Sequence, residues 1–121
     1  MATILVVDDS EHLIALLSQI LIQNGYKVET AVSKKELVNH LLNLTPDLIF
    51  LDIRLSGDDG RKICRDLKAN SSYKNIPIIL MSADADLLET FAEYGANDMI
   101  NKPFDRALIL DKAAGLLKPA A

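Results

Sequence analysis

The sequence predicts an α/β protein whose parallel sheet is covered by helices on both faces, a doubly wound fold. Strand-like and helix-like segments alternate five times along 121 residues. The strand candidates around residues 4–7, 48–51 and 78–81 are unbroken apolar runs rather than alternating ones. Strands buried on both faces read that way, because βα crossovers lay helices above and below the sheet. Composition agrees: half the residues are hydrophobic and a quarter are charged, which suits an ordinary globular chain with one core.

Each element has a local reason. Thr3 to Val7 is the first strand, closed by Asp8-Asp9. Ser10 is placed to cap a helix in which Leu13, Ile14, Leu16, Leu17, Ile20 and Leu21 recur at helical spacing. Gly25 ends it, since glycine closes a helix in the left-handed conformation without a Cβ penalty. Tyr26 to Thr30 alternates as a second strand, and Ser33 caps a second helix carrying Leu37, Val38, Leu41 and Leu42. Pro46 precedes a third strand, Asp47 to Asp52. Ser56-Gly57-Asp58-Asp59-Gly60 is a polar loop, and a third helix runs from it to about Ala69 with Ile63 and Leu67 inward. After a loop over Asn70 to Asn75, Ile76 to Met81 is a fourth strand, with Pro77 tolerable near its start. Asp84 or Asp86 opens a fourth helix that ends at Gly95. Asp98 to Asn101 is a short fifth strand, and Lys102-Pro103 turns the chain into a last helix, Asp105 to about Leu117.

Charge and cysteine content exclude several functions. The formal net charge is −4 and the basic residues are scattered, which argues against binding a nucleic-acid backbone directly. Cys64 is the single cysteine, so neither an internal disulfide nor a Cys-rich metal site can form, and a reducing compartment is the simpler expectation. No apolar run reaches the ~20 residues that cross a bilayer, and no charged leader precedes an apolar stretch. The expectation is a cytoplasmic protein with no membrane insertion, one domain over residues 1–121, and no output domain in this chain.

The polar residues gather at strand ends. The first strand ends at Asp8-Asp9, the third at Asp52, the fourth at Met81-Ser82 and the fifth at Asn101-Lys102. In an open parallel sheet, ligands bind beyond the carboxyl ends of the strands. Three carboxylates converging there must share protons or hold a cation. Oxygen ligands suit Mg²⁺ or Mn²⁺, which keep several waters and recruit a phosphate oxygen. A lysine and a hydroxyl opposite could bind the remaining oxygens of a phosphoryl group. Singly, each residue has a plainer reading: a lone Asp after a strand is commonly a helix cap or turn residue, and a lone Lys a solvated one. Their joint placement at one sheet edge is what points to a site.

These stretches resemble the receiver domain of the two-component response regulator family. The likeness runs from Ile4 to about Leu117. It is carried by Val6-Val7-Asp8-Asp9-Ser10, Pro46 to Ile53, Gly57-Asp58-Asp59-Gly60, Pro77 to Ala83, Gly95-Ala96-Asn97-Asp98 and Lys102-Pro103-Phe104. The resemblance implies a (βα)5 flavodoxin-like fold with strand order 2-1-3-4-5. It implies Asp52 as phosphoacceptor, Asp9 as a direct Mg²⁺ ligand, Asp8 as a ligand through water, and the Arg54 backbone carbonyl as the third protein ligand. Ser82 would bond a phosphoryl oxygen, Lys102 would pair with the acceptor site, and the Lys102-Pro103 bond would be cis. The implied activity is a signalling switch, not a conventional enzyme, that catalyses its own phosphorylation and dephosphorylation at Asp52. Implied partners are a sensor histidine kinase or histidine phosphotransfer protein, and a downstream target or output domain reached through the surface of the fourth helix, fifth strand and fifth helix. A monomer or weak dimer would suffice.

The chain departs from that family at several places. Met99 stands where Tyr or Phe is usual three residues before the lysine. Ser56 stands where proline is usual four residues after the acceptor, and Asp58 replaces a common apolar residue. Arg54 and Asp84, two past Asp52 and two past Ser82, are placed to flank the path of an attacking water. Ala83 is small and leaves room for a donor phosphoryl group. His12 and His40 read as surface helix residues, and Cys64 as packing. The competing reading is a phosphorylation-independent interaction module, although such domains usually lack a residue of the acidic set or the lysine, and all are present here. An aspartyl phosphatase of the haloacid dehalogenase type would need an acid at Arg54, and a flavodoxin would need a phosphate loop where Asp8-Asp9-Ser10 stands.

Overall fold

In the computed structural model, which describes residues 1–117, five parallel strands form one sheet: β1 (Thr3–Val7), β2 (Lys27–Ala31), β3 (Leu48–Asp52), β4 (Ile78–Ser82) and β5 (Asp98–Asn101). Their order is β2-β1-β3-β4-β5, as expected. Every residue of β3 and β4 is buried, which explains why these strands have no polar alternation. The period of two is still at work, because alternate residues feed two separate cores. Leu5, Val7, Ile49, Leu51, Ile78 and Leu80 point to one side, where Leu37, Leu41, Ile63, Cys64 and Leu88 meet them. Ile4, Val6, Leu48, Phe50, Ile79 and Met81 point to the other, against Ile14, Leu17, Leu21, Ile109 and Ala113. Thus α2 (Lys34–Asn43), α3 (Gly60–Lys68) and α4 (Ala85–Leu88) cover one face, and α1 (Glu11–Gln23) and α5 (Arg106–Leu116) the other.

The helix starts are capped where the sequence places them. Ser10 Oγ accepts from the Leu13 N–H at 3.2 Å and Ser33 Oγ from the Glu36 N–H at 3.2 Å. Asp105 Oδ1 accepts from the Leu108 N–H at 2.8 Å. Each of these satisfies an N–H that the first helical turn leaves without a partner.

Some boundaries and faces differ from the sequence reading. β2 sits one residue later, because Ala31 pairs with Val7 and its carbonyl accepts from the Asp8 N–H. β4 begins at Ile78, since the Ile76 N–H closes a turn onto the Tyr73 carbonyl. Leu16, Val38 and Leu42 are exposed; only Leu37 and Leu41 of the apolar set on α2 reach the core. The polar loop after β3 contains a two-residue antiparallel pairing, Arg54–Leu55 with Asp58–Asp59.

The fourth helix does not continue to Gly95. It makes a single turn, Ala85–Leu88, and is followed by a 3₁₀ turn, Phe91–Tyr94. Thr90 marks the break: its hydroxyl donates to the Leu87 carbonyl at 2.7 Å, competing for an acceptor that a continuing helix would use. Gly95, at φ 84°, then closes the segment in the left-handed conformation. Arg61 on α3 braces this segment. It donates twice to Asp59, at 2.9 and 3.2 Å, reaches Thr90 Oγ1 at 3.2 Å, and lies 5.1 Å from the Tyr94 ring centroid. The bond to Arg61 also holds the Asp59 carboxyl below the usual carboxylate range. Arg61→Ala is therefore expected to cost about 2–4 kcal/mol of stability, the sum of a charge-assisted bond and a ring contact. Urea unfolding measures it, and a loss below about 0.5 kcal/mol, the ordinary surface range, would remove Arg61 as the brace.

Candidate functional site

The crossover direction reverses between β1 and β3, the two strands that flank the switch point. Their carboxyl ends are therefore splayed by helices leaving on opposite faces, and the crevice between them is open. β1 delivers Asp8 and Asp9 there, β3 delivers Asp52, β4 ends on Ser82, and Lys102 follows β5. The Lys102 N–H donates to the Ser82 carbonyl at 2.8 Å, which ties the last two strand ends together. The Lys102-Pro103 bond is cis, and Pro103 is exposed.

The charges are tightly gathered. Asp8, Asp52 and Ser82 are buried, at 1%, 6% and 3% exposure, whereas Asp9 is exposed. One carboxylate oxygen from each of Asp8, Asp9 and Asp52 lies within 4.8 Å of the others. Lys102 Nζ sits 2.8 Å from Asp8 Oδ2 and 3.3 Å from Asp52 Oδ1. Asp8 Oδ1 also accepts the Ser10 N–H at 2.9 Å. One ammonium thus contacts two of the three clustered carboxylates. Burial, and then the neighbouring Asp8, push the Asp52 carboxyl up to about 6, although Lys102 pulls the other way. That unpaid repulsion, in an all-oxygen donor set, fits a hard divalent cation.

A cleft of about 680 Å³ opens over the cluster and is lined by Asp9, Asp52, Arg54, Ser82, Ala83, Asp84, Ala85, Asp86 and Lys102. Ala83 and Ala85 keep its wall low. Arg54 Nη2 lies 3.4 Å from Asp84 Oδ2, a pair between exposed side chains. Ser82 Oγ accepts the Asp84 N–H at 3.0 Å and so keeps its own proton to donate. Asp84 in turn caps α4 through the Asp86 N–H at 3.0 Å. Arg54 begins the short antiparallel pairing, opposite Asp59, two residues beyond Asp52.

The other candidates lie elsewhere. Met99 is partly buried against the core beneath α2, α3 and α4. His12 is exposed, while His40 is half-buried with Nε2 2.7 Å from the Thr30 carbonyl, so it ties α2 to β2 rather than standing free. Cys64 is fully buried and its thiol is pushed up to about 11 by burial, which makes it inert packing. Two residues matter more than the sequence reading allowed. Ser56 donates to Asp9, and Gly60 lies against the backbone of Asp52 and Ile53. The signal for Ser56 was a donor in a turn that follows β3; for Gly60, a glycine at a helix start where turn geometry does not require one.

The response regulator receiver domain family matches residues 4–114. The chain belongs to that family. Among curated relatives it is 33% identical over 120 residues to response regulator PleD of Caulobacter vibrioides, covering 97% of this chain and 26% of PleD. It is 33% identical to response regulator ArlR of Staphylococcus aureus, covering 98% of this chain and 53% of ArlR. The chain therefore spans a quarter to a half of the curated relatives it matches. Among solved structures, the receiver domain of a signal transduction histidine kinase from Syntrophus aciditrophicus aligns with a TM-score of 0.87 at 33% identity, over 97% of this chain and 90% of that one. Chemotaxis response regulator CheY4 of Vibrio cholerae aligns with a TM-score of 0.87 at 27% identity, over 97% and 99%. Receiver domains of this family typically bind Mg²⁺ and work with histidine kinases and output domains in phosphorylation-dependent two-component signalling. No helix among the described residues is long and apolar enough to cross a membrane.

Proposed function

We propose that this single domain is a phosphorylation switch acting in the cytoplasm, with Asp52 as the acceptor, fed by a sensor histidine kinase or a histidine phosphotransfer protein. The observation that carries the reading is the buried Asp52 carboxylate, crowded by Asp8 and Asp9 and touched by Lys102 at the floor of an open cleft. Asp9, Asp8 through water, Asp52 and the Arg54 carbonyl would hold Mg²⁺, or Mn²⁺ in its place. The bound cation supplies neutralisation of charge on the phosphoryl oxygens.

Asp52 acts as the nucleophile. One of its oxygens bonds to phosphorus as the phosphorus–nitrogen bond of the phosphohistidine breaks, and the imidazole leaves with the electron pair. Lys102, already 3.3 Å from Asp52 Oδ1, offsets charge on the transferring group, and Ser82 donates its free hydroxyl proton to a phosphoryl oxygen. The Ser82 movement carries α4 and β5 with it and changes the surface that a downstream partner or output domain reads. Met99, a flexible side chain, follows that movement by repacking where a ring would rotate. Attack by water at phosphorus then breaks the bond to the Asp52 oxygen, releases inorganic phosphate and restores the carboxylate.

The deciding experiment is incubation with acetyl phosphate and Mg²⁺, read by intact mass beside Asp52→Asn and a metal-free sample. One phosphoryl adduct that needs both Asp52 and metal is the expected result. No adduct and no Mg²⁺ binding in a folded protein would leave the phosphorylation-independent module as the better reading. Decay of the adduct tests the rim. The Arg54–Asp84 pair spans the mouth of the cleft, so Arg54→Ala is expected to shorten the phosphoryl half-life by up to about fivefold, the rate equivalent of an exposed pair worth up to about 1 kcal/mol. An unchanged half-life would sink the bridge.

A further inference from the structure

We infer that Ser56 is a positioning residue for the cation site, holding the Asp9 carboxylate in the orientation that joins it to Asp8 and Asp52. The inference rests on the reading that these three carboxylates bind Mg²⁺.

Asp9 is the least constrained of the three. Asp8 is buried and held by Lys102 and the Ser10 N–H; Asp52 is buried and contacts Lys102. Asp9 is exposed, and repulsion from two neighbouring carboxylates favours its turning outward into water. Ser56 opposes that. Its N–H lies 3.2 Å and its hydroxyl 3.3 Å from Asp9 Oδ2. Both donors fall on the same oxygen, and among the described residues none falls on Oδ1. With Asp9 held this way, one of its oxygens already lies within 4.8 Å of oxygens from Asp8 and Asp52. The hold and the convergence coexist, so gathering the cluster does not require breaking these bonds. That sets the sign: Ser56 favours the cation rather than competing with it.

The local backbone is shaped for this contact. Leu55 pairs with Asp58, which leaves Ser56 and Gly57 as a two-residue hairpin turn, at φ 42° and 88°. Such turns want positive φ at both central positions, where Asn or Asp followed by Gly is favoured. Serine in that conformation is uncommon, and what it adds is a hydroxyl beside Asp9. The proline that the family commonly carries at this place has neither N–H nor hydroxyl, and its ring fixes φ near −65°. This way of orienting the carboxylate is therefore specific to the turn that Ser56 allows. Partners of metal-binding carboxylates hold them for the ion in the same manner.

The test is calorimetric titration of Mg²⁺ into metal-free parent, Ser56→Ala and Ser56→Gly, with urea unfolding of each in chelator. Both variants lose the hydroxyl; alanine keeps the disfavoured φ and glycine relieves it. The expected result is Mg²⁺ binding about threefold to tenfold weaker in both, with metal-free stability that does not fall in parallel. Affinity unchanged or tighter in either variant, while the parent binds Mg²⁺, would overturn the inference alone. A matched fall in metal-free stability would assign the effect to loop folding and also overturn it. No Mg²⁺ binding by the parent would overturn the metal reading and this inference with it.

Discussion

Gly60→Ala is expected to destabilise the protein by about 3 kcal/mol or more, a large share of the stability of a domain this size. A Cβ on Gly60 would overlap the Asp52 carbonyl oxygen and stand 2.9 Å from both the Asp52 carbonyl carbon and the Ile53 Cα. All three atoms are backbone, so no rotamer change relieves the contact. The backbone there is also pinned. The Gly60 N–H donates to the Ile53 carbonyl at 2.6 Å, and the Ile53 N–H donates to the Met81 carbonyl at 2.9 Å across the sheet. Relief must come from moving α3 away or from displacing β3 itself. Either route loosens contacts of Ile63 and Cys64 with the core, and the second shifts Asp52 relative to Lys102. Urea unfolding should show the loss, and the acetyl phosphate adduct should form more slowly in the fraction that stays folded. A variant within about 1 kcal/mol of the parent, the ordinary range for tolerated substitutions, would mean that the close approach at Gly60 is not rigid.

Gly60 also marks the limit of what the sequence could say. The five βα units were legible because two strong periodicities coexist: unbroken apolar strands and helical stripes such as Ile14, Leu17 and Leu21. Ser10 and Ser33 announced their helices through cap chemistry, which is local and needs no tertiary context. Asp8, Asp9, Asp52, Ser82 and Lys102 could be placed together because the fold rule sends strand ends to one edge. What depended on long-range contact stayed hidden. The fourth helix reads as continuous from Asp84 or Asp86 to Gly95, whereas the folded chain breaks it at Thr90, whose hydroxyl bonds the Leu87 carbonyl and accepts from Arg61. Ser56 could be seen as a departure from the family's proline. That it reaches Asp9, 47 residues earlier in the chain, is a property of the folded loop. The exposure of Leu16, Val38 and Leu42 was equally invisible, because helical spacing marks an apolar stripe but not how much of its width the sheet covers.

Asp52→Asn is expected to make the metal-free protein more stable at neutral pH, by up to about 3 kcal/mol, while removing the proposed acceptor. The carboxyl rises from its ordinary 3.8 to about 6 in the folded state, first because burial strips its hydration and next because Asp8 is close. The folded protein therefore binds a proton more tightly than the unfolded chain does. The favourable contribution of protonated Asp52 is complete below about pH 4 and is lost as pH rises through about 6. At pH 7 the parent holds a buried carboxylate beside Asp8 and Asp9 with one ammonium among them, and asparagine removes that charge without changing the shape. Parent and variant should converge near pH 4 and diverge by pH 7. Asp59, held low by Arg61, contributes to the pH dependence of both proteins and cancels in their difference. Mg²⁺ should act in the opposite sense, stabilising the parent by relieving the same repulsion and stabilising the variant less. Urea unfolding across pH 4 to 7.5 in chelator, repeated with Mg²⁺, measures both effects. A parent-minus-variant difference that is flat with pH would mean that Asp52 sits in no electrostatic debt, and the case for a cation-dependent acceptor at this position would lose its physical footing.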